Sequence, residues 1–160
     1  AEHGPDSQVI LLSDSERLID EVIRKLRALA PNTSRAAILS QSLAEARFIQ
    51  VSDMAQALEI SNDYAPEHLI INTANASDLA SKVEDAGSVF IGPWTPESLG
   101  DYCSGTNHVL PTYGWARSHG ALGMGDFLRR MTFRKPREVH WNRSAPPPRS
   151  WPAWKAWRRT

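Results

Sequence analysis

Short apolar runs alternate with longer amphipathic segments over about the first hundred residues, and this alternation restricts the chain to few folds. The apolar runs have the length of buried strands and lie at residues 8–12, 48–51, 68–72 and 88–92. The segments around them predict helices at residues 14–30, 34–47, 53–63, 76–86 and 95–101. We therefore predict an α/β fold with a Rossmann-like parallel sheet covered on both faces, in which functional loops follow the carboxyl ends of strands.

The regular pattern stops near Thr132, where the composition also changes. Residues 133–160 hold eight Lys or Arg and one acid, so their net charge is +7, and the rest of the neutral chain carries −7. The same segment contains four of the six Trp and five of the eleven Pro. This change predicts a boundary near Thr132 between an ordered domain, 1–132, and a disordered basic tail, 133–160.

The composition of the whole chain excludes several classes of protein. Hydrophobic residues make up 41% and charged residues 22%, which is typical of a globular protein. No run approaches the roughly 20 apolar residues of a membrane span, so we expect no membrane partner. Cys103 is the single cysteine and cannot form an internal disulfide, which favours a reducing compartment such as the cytoplasm. The chain begins at Ala1 rather than Met, and we expect further sequence upstream.

Three polar segments stand next to these elements and contain the candidate chemistry, at residues 2–7, 64–68 and 100–108. Together they supply three histidines and several carboxylates, a set that suits zinc. Glu67 and His68 are adjacent, and a carboxylate beside an imidazole can act as an acid–base couple near neutral pH. His3 and Asp101 are far apart in sequence and match no short metal-binding spacing.

A purely structural interpretation of these residues stays open, because capping and loop hydrogen bonds use the same residue types. Cys103 has no base beside it in sequence, which disfavours a nucleophile. The glycines at 120–125 follow no strand and lack the Gly-x-Gly-x-x-Gly pattern, so they are not a dinucleotide fingerprint. His119 and His140 are interpreted as incidental.

The order and spacing of the motifs closely resemble the histidinol dehydrogenase family. The segments that carry this resemblance are 1–8 (AEHGPDSQ), 64–69 (YAPEHL), 87–90 (GSVF), 100–102 (GDY) and 104–112 (SGTNHVLPT). The resemblance extends to about Thr132 and covers roughly the last third of a typical member. It implies an enzyme that oxidises L-histidinol to L-histidine in two steps, with NAD accepting a hydride in each.

The resemblance also implies roles for individual residues. His3 and Asp101 are expected to be zinc ligands, and the zinc acts mainly as a template that holds the substrate. His68 is expected to be the general base, and Glu67 the group that activates water for the second oxidation. We expect His3, His68 and Asp101 to bind substrate, and His108 to lie near it.

Other parts of a working member have no counterpart in this sequence. The NAD-contacting region and a glutamine zinc ligand are expected upstream of Ala1. A C-terminal glutamate and histidine, which in the family reach the active site of the partner subunit in a homodimer, are missing from the tail. We therefore expect this chain to be inactive alone and its zinc binding to be weak.

The tail itself is predicted to be translated in the wrong reading frame. Residues 152–160 (PAWKAWRRT) can be encoded as CCG GCC TGG AAG GCC TGG AGG CGC ACC. Shifted one base earlier, the same bases encode Ala-Gly-Leu-Glu-Gly-Leu-Glu-Ala-His, the family's missing terminal segment. The wobble bases are free, but the Trp codons are fixed, and after a C each becomes a Leu codon. One lost nucleotide near Phe133 explains the change.

The sequence is also compatible with two classes of protein that are not enzymes. Lys and Arg interleaved with Trp in the tail suit phosphate contacts and base stacking, which would make the chain a nucleic-acid-binding module. The frame shift removes the need for that function, and we expect no nucleic-acid partner. A non-catalytic scaffold is the other alternative, and retention of Glu67, His68 and Asp101 counts against it.

Overall fold

The computed structural model describes residues 1–135. The strands are β1 (Ile10–Ser13), β2 (Arg47–Gln50), β3 (His68–Ile71) and β4 (Ser88–Ile91). The α-helices are α1 (Glu16–Leu29), α2 (Ala36–Ser42), α3 (Met54–Tyr64), α4 (Ala76–Ala80) and α5 (Ser98–Tyr102). Short 3₁₀ helices lie at Ala30–Asn32, Leu43–Glu45, Trp115–Arg117 and Met124–Phe127. Ala1–Met124 forms one compact unit that contains all of these strands, and a second unit begins at Gly125.

The strands pair in parallel, as the alternation predicts, but in two separate pairs. β1 pairs with β2 in the register Ile10 to Arg47, and β3 pairs with β4 in the register His68 to Ser88. Within the described residues no ladder joins the two pairs into the single sheet that the sequence predicts. Local periodicity identifies a strand but does not specify its hydrogen-bonding neighbour, which explains the difference.

The core of the first unit lies between the strands and helices. Its buried apolar side chains are Ile19, Leu39, Val51, Ala65, Ile71, Ala76 and Phe90. Ile70 in β3 and Ile91 in β4 are 55% and 42% exposed, although their register partners Phe90 and Ile71 are buried. No helix among residues 1–135 is both long enough and apolar enough to cross a membrane.

Side-chain caps explain where two helices begin. The Ser15 hydroxyl accepts a hydrogen bond from the Leu18 amide at 3.3 Å and starts α1. The Asp53 carboxylate accepts from the Gln56 amide at 2.9 Å and starts α3. Each cap satisfies a backbone N–H that the first turn leaves free, which favours the helix by about 1 kcal/mol.

Two helices end earlier than their sequence pattern predicts. α4 ends at Ala80 rather than near residue 86, since the Asn62 side chain binds the Glu84 amide at 3.0 Å and the Lys82 carbonyl at 3.5 Å. α2 ends at Ser42, and the chain then turns into β2, which starts one residue before the predicted run. The predicted tail, residues 133–160, lies outside the described range except for residues 133–135.

Candidate acid–base site

The segment that carries Glu67 and His68 is fixed by backbone contacts at the start of β3. Helix α3 ends at Tyr64, and the left-handed conformation of the next residue, Ala65 (φ 54°), turns the chain toward the strand. The amides of Gly87 and Ser88 then donate to the carbonyls of Pro66 and Glu67, both at 2.8 Å. An added Cβ at Gly87 would lie 2.6 Å from the Glu67 carbonyl oxygen, so glycine is required for this close approach.

Both ring nitrogens of His68 face carboxylates. Nδ1 lies 4.0 Å from Oε1 of Glu67, and Nε2 lies 3.5 Å from Oε1 of Glu97. The ring is about one-third exposed and stacks on Phe90 of β4, with 5.9 Å between ring centroids and an interplanar angle of 26°. His68 is therefore an imidazole held between an apolar ring and two acceptors, which can take up a proton and stabilise the resulting charge.

Helix α5 brings Glu97 to this ring. The helix packs on β4 closely enough that a Cβ on Gly100 would lie 3.1 Å from Cζ of Phe90. Glu97 immediately precedes α5, and its side chain is 45% exposed. Asp101 lies four residues further along, about one helical turn or ~6 Å of rise from Glu97. The predicted zinc ligand Asp101 and Glu97, which contacts His68, thus lie within one short segment formed by α5 and the residue before it.

The turn that carries His3 is stabilised by its own hydrogen bonds. The Gly4 amide donates to Oγ of Ser7 at 3.0 Å, and the Ser7 amide donates to the Gly4 carbonyl at 3.2 Å. Arg35 Nη2 donates to the His3 carbonyl at 3.5 Å, which ties this turn to the segment before α2. The His3 residue is exposed.

Asp6 connects the same turn to the other end of the unit. The Tyr113 hydroxyl donates to Oδ2 of Asp6 at 3.0 Å, although 107 positions separate the two residues. This hydrogen bond and the charge of Asp6, with a smaller contribution from the charge of Glu67, raise the pKa of Tyr113. The carboxylates of Asp6 and Glu67 are therefore close enough to act on one phenol.

A cavity of about 330 Å³ lies beside this turn, next to β1 and β2. Its polar lining includes Asp6, Gln8, Arg47 and Tyr64, and it does not include Glu67 or His68. The Tyr64 hydroxyl donates to the Gln8 side chain, and burial raises the pKa of Tyr64.

The structure brings together some of the predicted site residues and not others. Glu67 and His68 lie side by side with Glu97, a residue for which the sequence analysis assigned no role. His3 and Asp101 belong to no group of three or more His, Cys, Asp or Glu side chains suited to a metal within the described residues. His108 is exposed in the loop after α5. The signal that could have identified Glu97 is its position one turn before Asp101 in a short predicted helix.

The fold and the site define an α/β protein with parallel strand pairs and a half-buried His–carboxylate cluster. A family model described as histidinol dehydrogenase matches residues 1–147, past the compositional boundary near Thr132. With more than half of its length matched, the chain belongs to the histidinol dehydrogenase family.

Individual relatives agree with this assignment. The histidinol dehydrogenase of Colwellia psychrerythraea is 54% identical over 84% of this chain and 31% of the relative. That of Pectobacterium atrosepticum is 52% identical over 84% of this chain and 30% of the relative. The crystal structure of the enzyme from Elizabethkingia anophelis superposes with a TM-score of 0.79 and 41% identity, over 83% of this chain and 31% of that one. The chain thus spans about a third of the length of these relatives.

Proposed function

We propose that this chain is part of a histidinol dehydrogenase that oxidises L-histidinol to L-histidine, and that it contributes the residues that handle protons. The observation that carries the proposal is the contact of both His68 ring nitrogens with carboxylates, in a chain of this family. The names of the relatives support the substrate, because each of them is described as a histidinol dehydrogenase.

Each oxidation removes a hydride from carbon and a proton from oxygen. In the first step the alcohol becomes an aldehyde, and we assign the hydroxyl proton to His68, whose ring is half-buried and flanked by acceptors. In the second step water adds to the aldehyde, and we assign the water proton to Glu67, since its carboxylate is partly exposed beside the ring. His68 then takes the hydroxyl proton of the hydrate as the acid forms.

We propose NAD and zinc as the cofactors, with NAD accepting the hydride when bound. Residues 1–135 present neither a dinucleotide fingerprint nor a cluster of three metal-binding side chains. These residues therefore do not make a zinc site by themselves, and the proton transfers assigned to His68 and Glu67 do not require the metal. His3 and Asp101 are proposed as partial ligands, completed by residues outside the described range.

The remaining parts of the proposal concern the setting of the enzyme. We propose a homodimer, in which a second subunit completes the site, and a cytoplasmic location. The free and exposed Cys103 supports a reducing compartment. Nucleic acid is not proposed as a partner.

Separate assays of the two half-reactions test the roles of Glu67 and His68 in the full-length protein. Glu67→Gln is expected to slow oxidation of histidinal more than oxidation of histidinol, because only the aldehyde step consumes water. His68→Asn is expected to slow both by about 10²–10⁴-fold, the usual contribution of a general base.

Glu21→Gln is the matched control, because Glu21 is an exposed carboxylate on α1, and it is expected to leave both rates unchanged. Equal losses on both substrates for Glu67→Gln would show that its role is wrongly assigned. Wild-type rates for both site variants would show that neither residue takes part in the chemistry, whereas a full-length protein that oxidises neither substrate would favour the scaffold alternative.

A further inference from the structure

We propose that Glu97 is a positioning residue for His68: its carboxylate orients the imidazole ring and stabilises the imidazolium that forms when the ring takes up a proton. This inference rests on the proposed role of His68 as the base. It assigns a function to a residue outside the Glu67–His68 pair, brought to the ring by α5 rather than by β3.

The distances identify which nitrogen carries the proton in the neutral ring. An ionised carboxylate only accepts hydrogen bonds, so the ring nitrogen nearer to a carboxylate is favoured as the N–H. Nε2 is 3.5 Å from Glu97, whereas Nδ1 is 4.0 Å from Glu67. The closer contact favours the proton on Nε2, which leaves the lone pair of Nδ1 to accept the substrate proton, beside the carboxylate that is proposed to activate water.

The surroundings of the ring explain why one carboxylate can control its orientation. Phe90 stacks on one face of the ring and favours its plane, but stacking does not prevent a 180° rotation about the Cβ–Cγ bond, which keeps the plane and exchanges the nitrogen and carbon positions of the ring. Glu97 supplies the missing constraint at Nε2. The groups that face the ring are therefore Glu67 from the residue before β3, Phe90 from β4 and Glu97 from the start of α5.

Partial exposure limits the size of the effect. The side chains of His68 and Glu97 are 32% and 45% exposed, so solvent screens their attraction. Misplacement of a reacting group by about 1 Å costs up to ~10²-fold in rate. We expect Glu97→Gln to lower kcat for both substrates by about ten- to a hundredfold with little change in KM, and Glu97→Asp, which keeps the charge, to recover part of the loss.

Rescue by the charge-conserving variant separates this role from a structural one. Glu97→Gln keeps the size of the side chain and removes its charge, whereas Glu97→Asp keeps the charge and shortens the side chain, so a positioning role makes Glu97→Gln the slower variant. Glu21→Gln removes a carboxylate from an exposed position on α1 and is expected to leave kcat unchanged. Weakened packing of α5 would instead make Glu97→Asp at least as slow as Glu97→Gln.

A double-mutant cycle in the full-length enzyme is the decisive experiment. If Glu97 acts through His68, Glu97→Gln has no further effect on kcat in a His68→Asn background, whereas independent roles give losses that multiply. Multiplicative losses, or a wild-type rate for Glu97→Gln, would overturn the inference about Glu97 alone. A wild-type rate for His68→Asn would instead overturn the proposed function.

Discussion

Substitution of Gly87 by alanine tests whether the backbone under Glu67 and His68 is as tightly constrained as the structure indicates. The new Cβ would lie 2.6 Å from the Glu67 carbonyl oxygen and 3.2 Å from Cδ of Pro111. Ordinary van der Waals contact begins at 3.4 Å, so the two backbone segments have to separate by about 0.8 Å. Neither neighbour is the end of a flexible side chain, and the strain is not relieved by a rotamer change.

The size of the effect follows from the hydrogen bonds on either side of Gly87. Its own amide bonds the Pro66 carbonyl, and the Ser88 amide bonds the Glu67 carbonyl, both at 2.8 Å. A separation of this size stretches both bonds beyond useful length. At about 0.5–1.5 kcal/mol each, their loss lowers the free energy of unfolding by roughly 1–3 kcal/mol. The accompanying shift of Glu67 and His68 is expected to reduce the rate of histidinal oxidation by up to about 10²-fold.

Denaturant unfolding and the two half-reaction assays on the full-length protein measure these effects. Gly120→Ala is the matched control, because nothing lies within 4 Å of its added Cβ and its φ is not positive. It is expected to change the stability by no more than about 0.5 kcal/mol. If Gly87→Ala matches this control in both stability and rate, the close approach at β3 and β4 is not a constraint and the reasoning fails.

Three shorter predictions concern the metal, the phenol and the tail. Isothermal titration of Zn²⁺ into the 160-residue chain is expected to show weak binding, and stoichiometric nanomolar binding would contradict the proposal that His3 and Asp101 are only part of a ligand set. Asp6→Asn is expected to lower the pKa of Tyr113 toward 10, measured by ultraviolet titration; because the folded-state pKa is raised, the stabilisation from this contact is present at neutral pH and lost as the pH rises through that pKa. Sequencing of the locus is expected to reveal one missing nucleotide near Phe133, and a stop codon in the shifted frame before its Glu-Ala-His would exclude the frame shift.

The sequence predicted the local elements well, because their signals are local. The four strand positions follow from residue types and spacing over a few positions. The end of α4 does not follow from local signals, because the amide of Glu84 donates a hydrogen bond to Asn62, 22 positions earlier in the chain. No pattern within residues 76–86 contains that information. The sequence did not predict the pairing of the strands in two separate ladders either, since the partners in a ladder are determined by tertiary structure.

In the candidate site, too, the residues that are adjacent in sequence were predicted, and the residue brought in by tertiary contacts was not. Glu67 and His68 are neighbours in sequence, so the motif alone identifies them as a possible acid–base pair. Glu97 reaches the ring only because His68 pairs with Ser88, which brings Phe90 of the same strand against the imidazole.

Gly100 then lets α5 approach that phenyl ring, and the approach carries the residue just before the helix to Nε2. Each step is a contact between elements distant in sequence, and removal of any one of them moves the carboxylate away. A larger side chain at Gly100 is therefore expected to slow the proton transfer proposed for His68, although it would contact Phe90 and not the His68 ring.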